Sequence, residues 1–162
     1  MIRKVAVIMG SDSDWPVVKG ACAQLKALDI PFEAHILSAH RTPAEAAEFA
    51  KNARANGFGV ILCAAGMAAH LAGAFAANTT LPVIGVPVRS HALSGWDSLL
   101  SIVQMPGGIP VATTAVGNSG ATNAGLLAVS ILSTTDERLA NALQEYRDSL
   151  KEKVAESNAQ LV

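Results

Sequence analysis

The stretch VAVIMGSDSDWP, residues 5–16, decides the fold class. Its first five residues are apolar without polar alternation, which is typical of a strand buried on both faces of a parallel sheet. Pro16 then suits the first turn of a helix, where its missing N–H has no partner to lose, and Asp14 is a suitable N-cap. The stretch therefore predicts a buried strand followed by a helix over about 15–28.

The same order of strand, loop and helix recurs along the chain. Further apolar runs predict strands at 32–37, 60–64, 82–88 and 109–113, with helical patterns at about 43–56, 65–77, 97–103 and 119–132. Thr42 and Glu45 are spaced as a capping box for the second helix, and Gly57 is expected to end it. Five such units predict an α/β protein, a three-layer αβα flavodoxin-like fold with a parallel five-stranded sheet.

The chain closes with a long polar helix from residue 136, expected to protrude from the fold. We assign residues 1–135 to the flavodoxin-like domain and 136–162 to a C-terminal helical arm of the same domain. Its apolar residues form a single stripe: Leu139, Leu143, Tyr146, Leu150 and Val154. That stripe fits packing on the chain's own domain and, equally, packing on a neighbouring subunit.

The composition favours association between copies of the chain. The sequence is 51% hydrophobic and only 15% charged, which leaves little charge for the surface of a small protein. No run of 18 apolar residues is free of polar breaks, so we expect a homo-oligomer and no membrane contact. Nucleic acid is not expected as a partner, because the net charge is -1 and no basic stripe is present.

The start of the sequence and its two cysteines indicate a cytoplasmic protein. MIRKVAVIMG enters a strand at once and lacks the cleavage site of a signal peptide. Cys22 and Cys63 are far apart in apolar settings, which is typical of reduced core residues. A catalytic thiol is the alternative for Cys63, since it lies near a strand end.

Glycine and polar residues follow all five predicted strands, where ligands bind in open α/β sheets. The five loops are GSDSDW at 10–15, SAHRTP at 38–43, AAGMAAH at 64–70, PVRSHALSG at 87–95 and AVGNSGATNAG at 115–125. Simple connections would rarely share this character. We therefore expect the five loops to converge on one small-molecule site.

The first loop fits an anionic group. Gly10 ends the strand, and the hydroxyls of Ser11 and Ser13 lead into a helix N-terminus, where backbone N–H groups and the helix dipole favour a phosphate. Asp14 could accept a hydrogen bond from a ribose hydroxyl, although capping of the helix is the alternative for the aspartates. The loop is neither a Walker A motif nor GxGxxG.

The second loop combines a proton-transfer group with a cation. The guanidinium of Arg41 matches a phosphate or a carboxylate, and the Ser38 hydroxyl is close by. His40 can give and take a proton near neutral pH, with a purely structural role as the alternative. His70, in the third loop, lies among small residues that would let a planar ligand approach the backbone.

The other two histidines are less informative. His91 lies in the loop after strand four, which could serve as a lid, and His35 is expected to pack within its strand. No histidine or cysteine spacing matches a metal site, so no metal is expected. The residues alone therefore indicate a phosphate-bearing small molecule and acid–base chemistry by His40.

Six motifs, in order along the chain, resemble the class I N5-carboxyaminoimidazole ribonucleotide mutase family of purine biosynthesis. They are GSDSDW, SAHRTP, AAGMAAHL, LPVIGVPV, SGWDSLLSIVQMPGGIPV and AVGNSGATNAGLLA, within about 5–132. The resemblance implies transfer of a carboxyl group from N5 to C4 of an aminoimidazole ribonucleotide, with no cofactor, metal or ATP. It also implies a flavodoxin-like subunit of a homo-octamer, with the C-terminal helix packing on a neighbour.

The resemblance implies roles for individual residues. It makes His40 the catalytic acid–base residue, within the domain at 1–135. The expected substrate-binding residues are Ser11, Asp14, Ser38, Arg41, Gly66 and His70, and those of the phosphate loop are Gly10 and Ser13. Small walls at Ala64, Ala65, Ala68 and Ala69 would hold released CO₂ away from water. Two positions depart from the family pattern: Met67, where glycine is common, and Ala72, where proline is common.

Three other functions stay open at this point. Class II relatives carboxylate aminoimidazole ribonucleotide directly with CO₂, but their second loop usually has Lys-Gly where this chain has Arg41 and Thr42. A flavin-binding electron carrier shares the fold, but only 4% of this chain is aromatic. The third is a nucleotide sensor without catalysis.

Overall fold

The computed structural model describes residues 3–161 and contains a five-stranded sheet. Its strands are β1 (Lys4–Met9), β2 (Phe32–Ile36), β3 (Phe58–Gly66), β4 (Val83–Val88) and β5 (Ala112–Thr113). The order across the sheet is β2-β1-β3-β4-β5, and all neighbours are parallel. This is the strand order of the flavodoxin-like fold, so the predicted fold class is confirmed.

Helices cover both faces of the sheet. The α-helices of the described residues are α1 (Trp15–Ala27), α2 (Pro43–Asn52), α3 (Leu71–Ala76), α4 (Trp96–Val103), α5 (Asn118–Ser133) and α6 (Glu137–Ala159). A 3-10 turn, Asp12–Asp14, precedes α1. One layer holds α1, α5 and the start of α6, and the other holds α2, α3 and α4.

The residues of β1 alternate between two hydrophobic cores. Val5, Val7 and Met9 face the α1 and α5 layer, and Ala6 and Ile8 face the opposite layer. All five are at most 4% exposed. Beyond Lys4, the three central strands carry no polar side chain along their length. Polar chemistry is therefore confined to the ends of these strands.

Three predicted boundaries are wrong. The third helix begins at Leu71 rather than near residue 65, because β3 continues to Gly66. The second helix ends at Asn52 rather than near residue 56, because residues 53–57 form turns that close at Gly57 with φ +86°. The fifth strand pairs with β4 only through Ala112 and Thr113, not over 109–113. Pro110 within the predicted run has no N–H to give to a ladder, which limits this edge strand.

Gly120 makes the closest approach at the start of α5. A Cβ added there would overlap the carbonyl oxygen of Ala115 and lie 2.6 Å from its carbonyl carbon. The turn before the helix includes Gly117 at φ +82°. The backbone of residues 115–120 therefore folds back on itself in a way that leaves no room for a side chain at Gly120.

Helix α6 is covered by its own domain only in its first half. Leu139 is fully buried, and Leu143 packs against the same core. Leu150 and Val154 are 42% and 61% exposed. The predicted apolar stripe thus packs on its own domain at one end and is uncovered in the single chain at the other. Among residues 3–161, no helix is long and apolar enough to cross a bilayer.

Candidate functional site

Four of the five predicted loops meet in a cavity of about 720 Å³ at the carboxyl edge of the sheet. It lies beyond β1 and β3, where the strand order reverses and ligands bind in such sheets. All nine predicted site residues line it: Gly10, Ser11, Ser13, Asp14, Ser38, His40, Arg41, Gly66 and His70. The loop at 115–125 contributes no lining residue. The predicted convergence of five loops is wrong in that part, because β5 is the sheet edge farthest from β2.

The first loop is folded by its own serine and aspartate. The Ser11 hydroxyl accepts from the backbone N–H of Ser13 at 3.3 Å, and Asp14 Oδ2 accepts from the backbone N–H of Ser11 at 3.1 Å. These bonds form a capping box on the 3-10 turn. The prediction that Asp14 caps α1 is wrong, because its carboxylate turns back to Ser11 and makes no capping bond to α1.

Asp14 is a buried carboxylate on the cavity wall. It is 7% exposed, and burial raises the pKa of its carboxyl above the ordinary value, against the opposing effects of the Ser11 N–H and of Arg41. A carboxyl with a raised pKa holds its proton more tightly in the folded chain than in the unfolded one. Its charged form therefore weakens folding, as is common for groups kept for function.

We expect Asp14→Asn to be at least as stable as the parent chain at neutral pH. The amide oxygen can still accept from the Ser11 N–H, while the buried charge is gone. Because the pKa is raised, the parent loses stability as pH rises through the window above 3.8. The advantage of the variant should therefore shrink as pH falls towards 3.8, which urea unfolding at several pH values measures.

The exposed neighbour Asp12 supplies the control for this experiment. Asp12→Asn removes a carboxylate that is not buried, so it should bring no gain in stability at neutral pH. A lower stability of Asp14→Asn at neutral pH would show that the contacts with the Ser11 N–H and Arg41 outweigh the cost of burial.

The second loop holds Arg41 in place. The Ser38 hydroxyl accepts from the backbone N–H of Arg41 at 3.1 Å and from its Nε at 3.4 Å. The Nη2 group donates to the carbonyl oxygen of Gly10 at 2.8 Å. The guanidinium thus bridges the first and second loops and keeps further N–H donors for an anion.

The predicted capping box between Thr42 and Glu45 does not form. Thr42 Oγ1 instead accepts from the backbone N–H of Ser38 at 2.8 Å and donates to the carbonyl oxygen of Ser38 at 3.1 Å. It makes no capping bond to α2. The hydroxyl stabilises the turn that carries His40 and Arg41 rather than the helix that follows.

His40 and His70 form a hydrogen-bonded pair. His40 Nε2 lies 2.8 Å from His70 Nδ1, and the ring planes meet at 78°. At least one of these nitrogens must lack a proton, because two N–H groups cannot bond to each other. Both side chains are exposed and line the cavity, so a ligand can reach either ring. Nothing in the sequence signals this contact between residues thirty positions apart.

The apolar wall of the cavity comes from the third loop. Ala65, Ala68 and Leu71 line it. The prediction that Ala64 and Ala69 also do so is wrong, because both are buried in the hydrophobic cores on either side of the sheet. The cavity therefore has an apolar wall, but only two of the four predicted alanines contribute to it.

The two departures from the family pattern have different settings. Met67 has a left-handed backbone with φ +56°, the conformation that glycine adopts most easily, and its side chain lines the cavity while 69% exposed. Ala72 is buried in the first turn of α3, where a proline would also be tolerated. Neither departure removes a polar group from the cavity.

Three polar residues of the cavity were missed as site residues. They are Arg89, Ser90 and Asp97, from the loop after β4 and the start of α4. Ser90 is 9% exposed and its hydroxyl donates to Asp97 Oδ1 at 2.8 Å. The sequence signal for them was their place in or beside the predicted loop PVRSHALSG, from which only His91 was named as a candidate. His91 lines the cavity as well.

The remaining candidates lie away from the cavity. His35 packs against Phe49, with ring centroids 5.1 Å apart. Cys22 and Cys63 are buried free thiols whose pKa values are raised by burial, and neither lines the cavity. A nucleophilic role for Cys63 at this site is therefore excluded. Between residues 3 and 161, no group of three or more His, Cys, Asp or Glu side chains could hold a metal ion.

Known proteins are similar to this chain in sequence and in fold. The model of the AIR carboxylase family matches residues 4–153. The N5-carboxyaminoimidazole ribonucleotide mutase of Bacillus subtilis strain 168 is 60% identical over 98% of both chains. The Brucella melitensis protein of the same name is 59% identical over 94% of both chains. The crystal structure of Treponema denticola PurE has a TM-score of 0.87 and 28% identity, covering 97% of both chains.

Proposed function

The chain belongs to the AIR carboxylase family, and we propose that it is an N5-carboxyaminoimidazole ribonucleotide mutase. The reaction moves the carboxyl group of its substrate from N5 to ring carbon C4, giving 4-carboxy-5-aminoimidazole ribonucleotide. The observation that carries the proposal is the placement of His40 and Arg41 in one cavity with the first loop. A proton-transfer group and an anion-binding group are thereby held side by side at a rigid sheet edge.

The first and second loops supply the proposed binding site for the ribose phosphate. Arg41 is anchored through Gly10 and Ser38, so its guanidinium loses little freedom when it binds a phosphate. Ser11 and Ser13 add hydroxyl groups at the same place, with their oxygens 3.0 Å apart. The carboxylate of Asp14 would accept a hydrogen bond from a ribose hydroxyl. With the ribose phosphate bound in this way, the aminoimidazole ring of the substrate would lie over the third loop, beside His40.

His40 would carry both proton transfers. Protonated His40 gives its proton to N5 as the bond between N5 and the carboxyl carbon breaks, and CO₂ is released. Carbon C4 then attacks the CO₂, and neutral His40 removes the proton that C4 still carries, which restores the aromatic ring. The net change moves the carboxyl group to C4 and one proton to N5, so His40 returns to its starting state. The hydrogen bond between His40 Nε2 and His70 Nδ1 would orient the His40 ring, with His40 as the donor when it is protonated.

Released CO₂ must stay in the cavity between the two steps. Ala65, Ala68 and Leu71 offer it an apolar wall without hydrogen-bonding groups. The intermediate would be held against this wall rather than lost to water. The overall reaction is an isomerisation, which neither consumes nor produces electrons and needs no phosphoryl donor.

The test is turnover in both directions by the purified chain without ATP or added metal. Ultraviolet absorbance would follow 4-carboxy-5-aminoimidazole ribonucleotide as it forms from fresh N5-carboxylated isomer, and as it is consumed in reverse. Interconversion supports the mutase. The alternative is direct carboxylation of aminoimidazole ribonucleotide, the activity after which the family is named. Product formed only from aminoimidazole ribonucleotide and bicarbonate would establish that activity and overturn the mutase.

We also propose that the enzyme is a cytoplasmic homo-octamer. Trp96, Leu100 and Val103 lie on one face of α4 and are 65%, 50% and 46% exposed. An apolar helix face of this kind is typical of a surface covered by another protein chain. Leu150 and Val154 of α6 supply a second uncovered stripe, as expected of an arm that packs on a neighbouring subunit. Two buried free thiols fit a reducing compartment.

Placing two charges on this face of α4 should dissociate the assembly. Because buried carboxylates would lack partners at an interface, we expect Trp96→Glu with Leu100→Glu to lower the native mass well below eight times the 16.7 kDa chain. Light scattering measures the mass. The control Lys26→Glu makes an equal change of net charge at an exposed position of α1 and should leave the mass unchanged. A parent chain that is monomeric would contradict the octamer.

A further inference from the structure

Arg89 places a second guanidinium in the cavity. It is exposed on the loop directly after β4 and lines the cavity. Within the described part of the chain, it forms no ion pair. Asp97, the acidic residue on this side of the cavity, already accepts from the Ser90 hydroxyl. The positive charge of Arg89 is therefore left for a ligand.

The loop that carries Arg89 is fixed at both ends. The single proton of the Ser98 hydroxyl is shared between the carbonyl oxygens of Val88 at 2.8 Å and Gly95 at 3.0 Å, and Ser98 is fully buried. The bond from Ser90 to Asp97 ties the middle of the loop to α4. The backbone at Arg89 is thus held against the end of β4, and mainly its side chain can move.

The two arginines of the cavity are anchored at the ends of different strands. Arg41 is bonded to Gly10, at the end of β1, whereas Arg89 follows β4, two strands further across the sheet. Neighbouring strands lie about 4.8 Å apart, which separates the two anchoring points by about 10 Å. The pair of histidines projects from the loops that follow β2 and β3.

From this arrangement we infer that Arg89 binds the carboxylate that is transferred, while Arg41 binds the phosphate. The inference rests on the proposed function, whose substrate has these two anionic groups on either side of its ribose and ring. A guanidinium can pair with both oxygens of a carboxylate. N5 is attached to the ring carbon next to C4, so the carboxylate moves only a short way. One flexible side chain can therefore stay bound to it during the transfer. Arg89 would then set the preference for carboxylated ligands.

The experiment compares two ligands that differ only in this group. Calorimetry would measure the binding of 4-carboxy-5-aminoimidazole ribonucleotide and of aminoimidazole ribonucleotide, which lacks the carboxylate. Loss of a charged hydrogen bond costs about tenfold in affinity or more, so Arg89→Gln should bind the carboxylated ligand at least that much more weakly. Its affinity for the other ligand should be unchanged. Arg41→Gln should weaken the binding of both.

Two further comparisons make the outcome unambiguous. Arg147→Gln removes the same charge from an exposed position of α6. Unchanged binding of both ligands by this variant would exclude a general effect of net charge. If Arg89→Gln weakened the binding of both ligands equally, or of neither, Arg89 would not bind the carboxylate. The inference would then be overturned while the proposed function stood. If the parent chain bound neither ribonucleotide, the proposed function would fail and the inference with it.

Discussion

His40→Asn should reduce turnover by about 10³-fold or more while leaving ribonucleotide binding nearly intact. Asparagine is close to histidine in size and can still bond to His70, but it cannot give and take a proton. In the proposed reaction one imidazole serves both transfers, so its loss removes both at once. Absorbance measures turnover with the C4-carboxylated ribonucleotide, and calorimetry measures binding of the same ligand.

The matched control for this variant is His35→Asn. His35 lies on β2 against Phe49 and does not line the cavity, so its loss should leave turnover close to that of the parent. If His40→Asn kept turnover within about tenfold of the parent, the proton transfers would have to be assigned to another group. Weakened binding together with lost turnover would instead indicate that His40 mainly positions the substrate.

Gly120→Ala should destabilise the fold by about 3 kcal/mol or more, the upper range for an overpacked site. The new methyl group would overlap the backbone carbonyl of Ala115, which cannot rotate away as a side chain could. To make room, α5 would have to move relative to α1 and lose packing at Ala121 and Ala124, both buried. Thermal unfolding should show a fall in Tm of roughly 6–12 °C.

Gly107→Ala provides the control, because a Cβ there would meet no atom within 4 Å. Its effect should stay within about 0.5 kcal/mol, as for most surface substitutions. A loss at Gly120 below about 1 kcal/mol would show that the turn at residues 115–117 relaxes easily. Both variants lie outside the cavity, so unfolding rather than activity is the relevant measurement.

The three central strands were predictable because burial on both faces imposes an unbroken apolar composition. The run at 5–9 and its successors along the chain therefore indicated the sheet and, through it, the edge where the loops meet. The short β5 was overestimated because apolar residues continue through Pro110, which cannot extend a ladder. Composition alone does not show where backbone pairing stops.

Side-chain pairings within the cavity were harder to predict. Ser11, Thr42 and Asp14 are all good capping residues, yet all three bond within their own loops in ways that sequence spacing does not distinguish. The contact between His40 and His70 depends on how two loops fold over one sheet edge, which is a tertiary property. Arg89 was overlooked because a single arginine in a loop has no sequence signal until its neighbours are known.

The absence of polar side chains from the central strands beyond Lys4 bears on how such a protein can evolve. Selection for folding acts mainly on the apolar interior of the sheet and helices, while selection for chemistry acts on a few loop positions at one edge. A lineage can thus exchange loop residues and try new substrates without first rebuilding its scaffold. Asp14 is the exception: as a buried charge, it joins the two kinds of selection at one position.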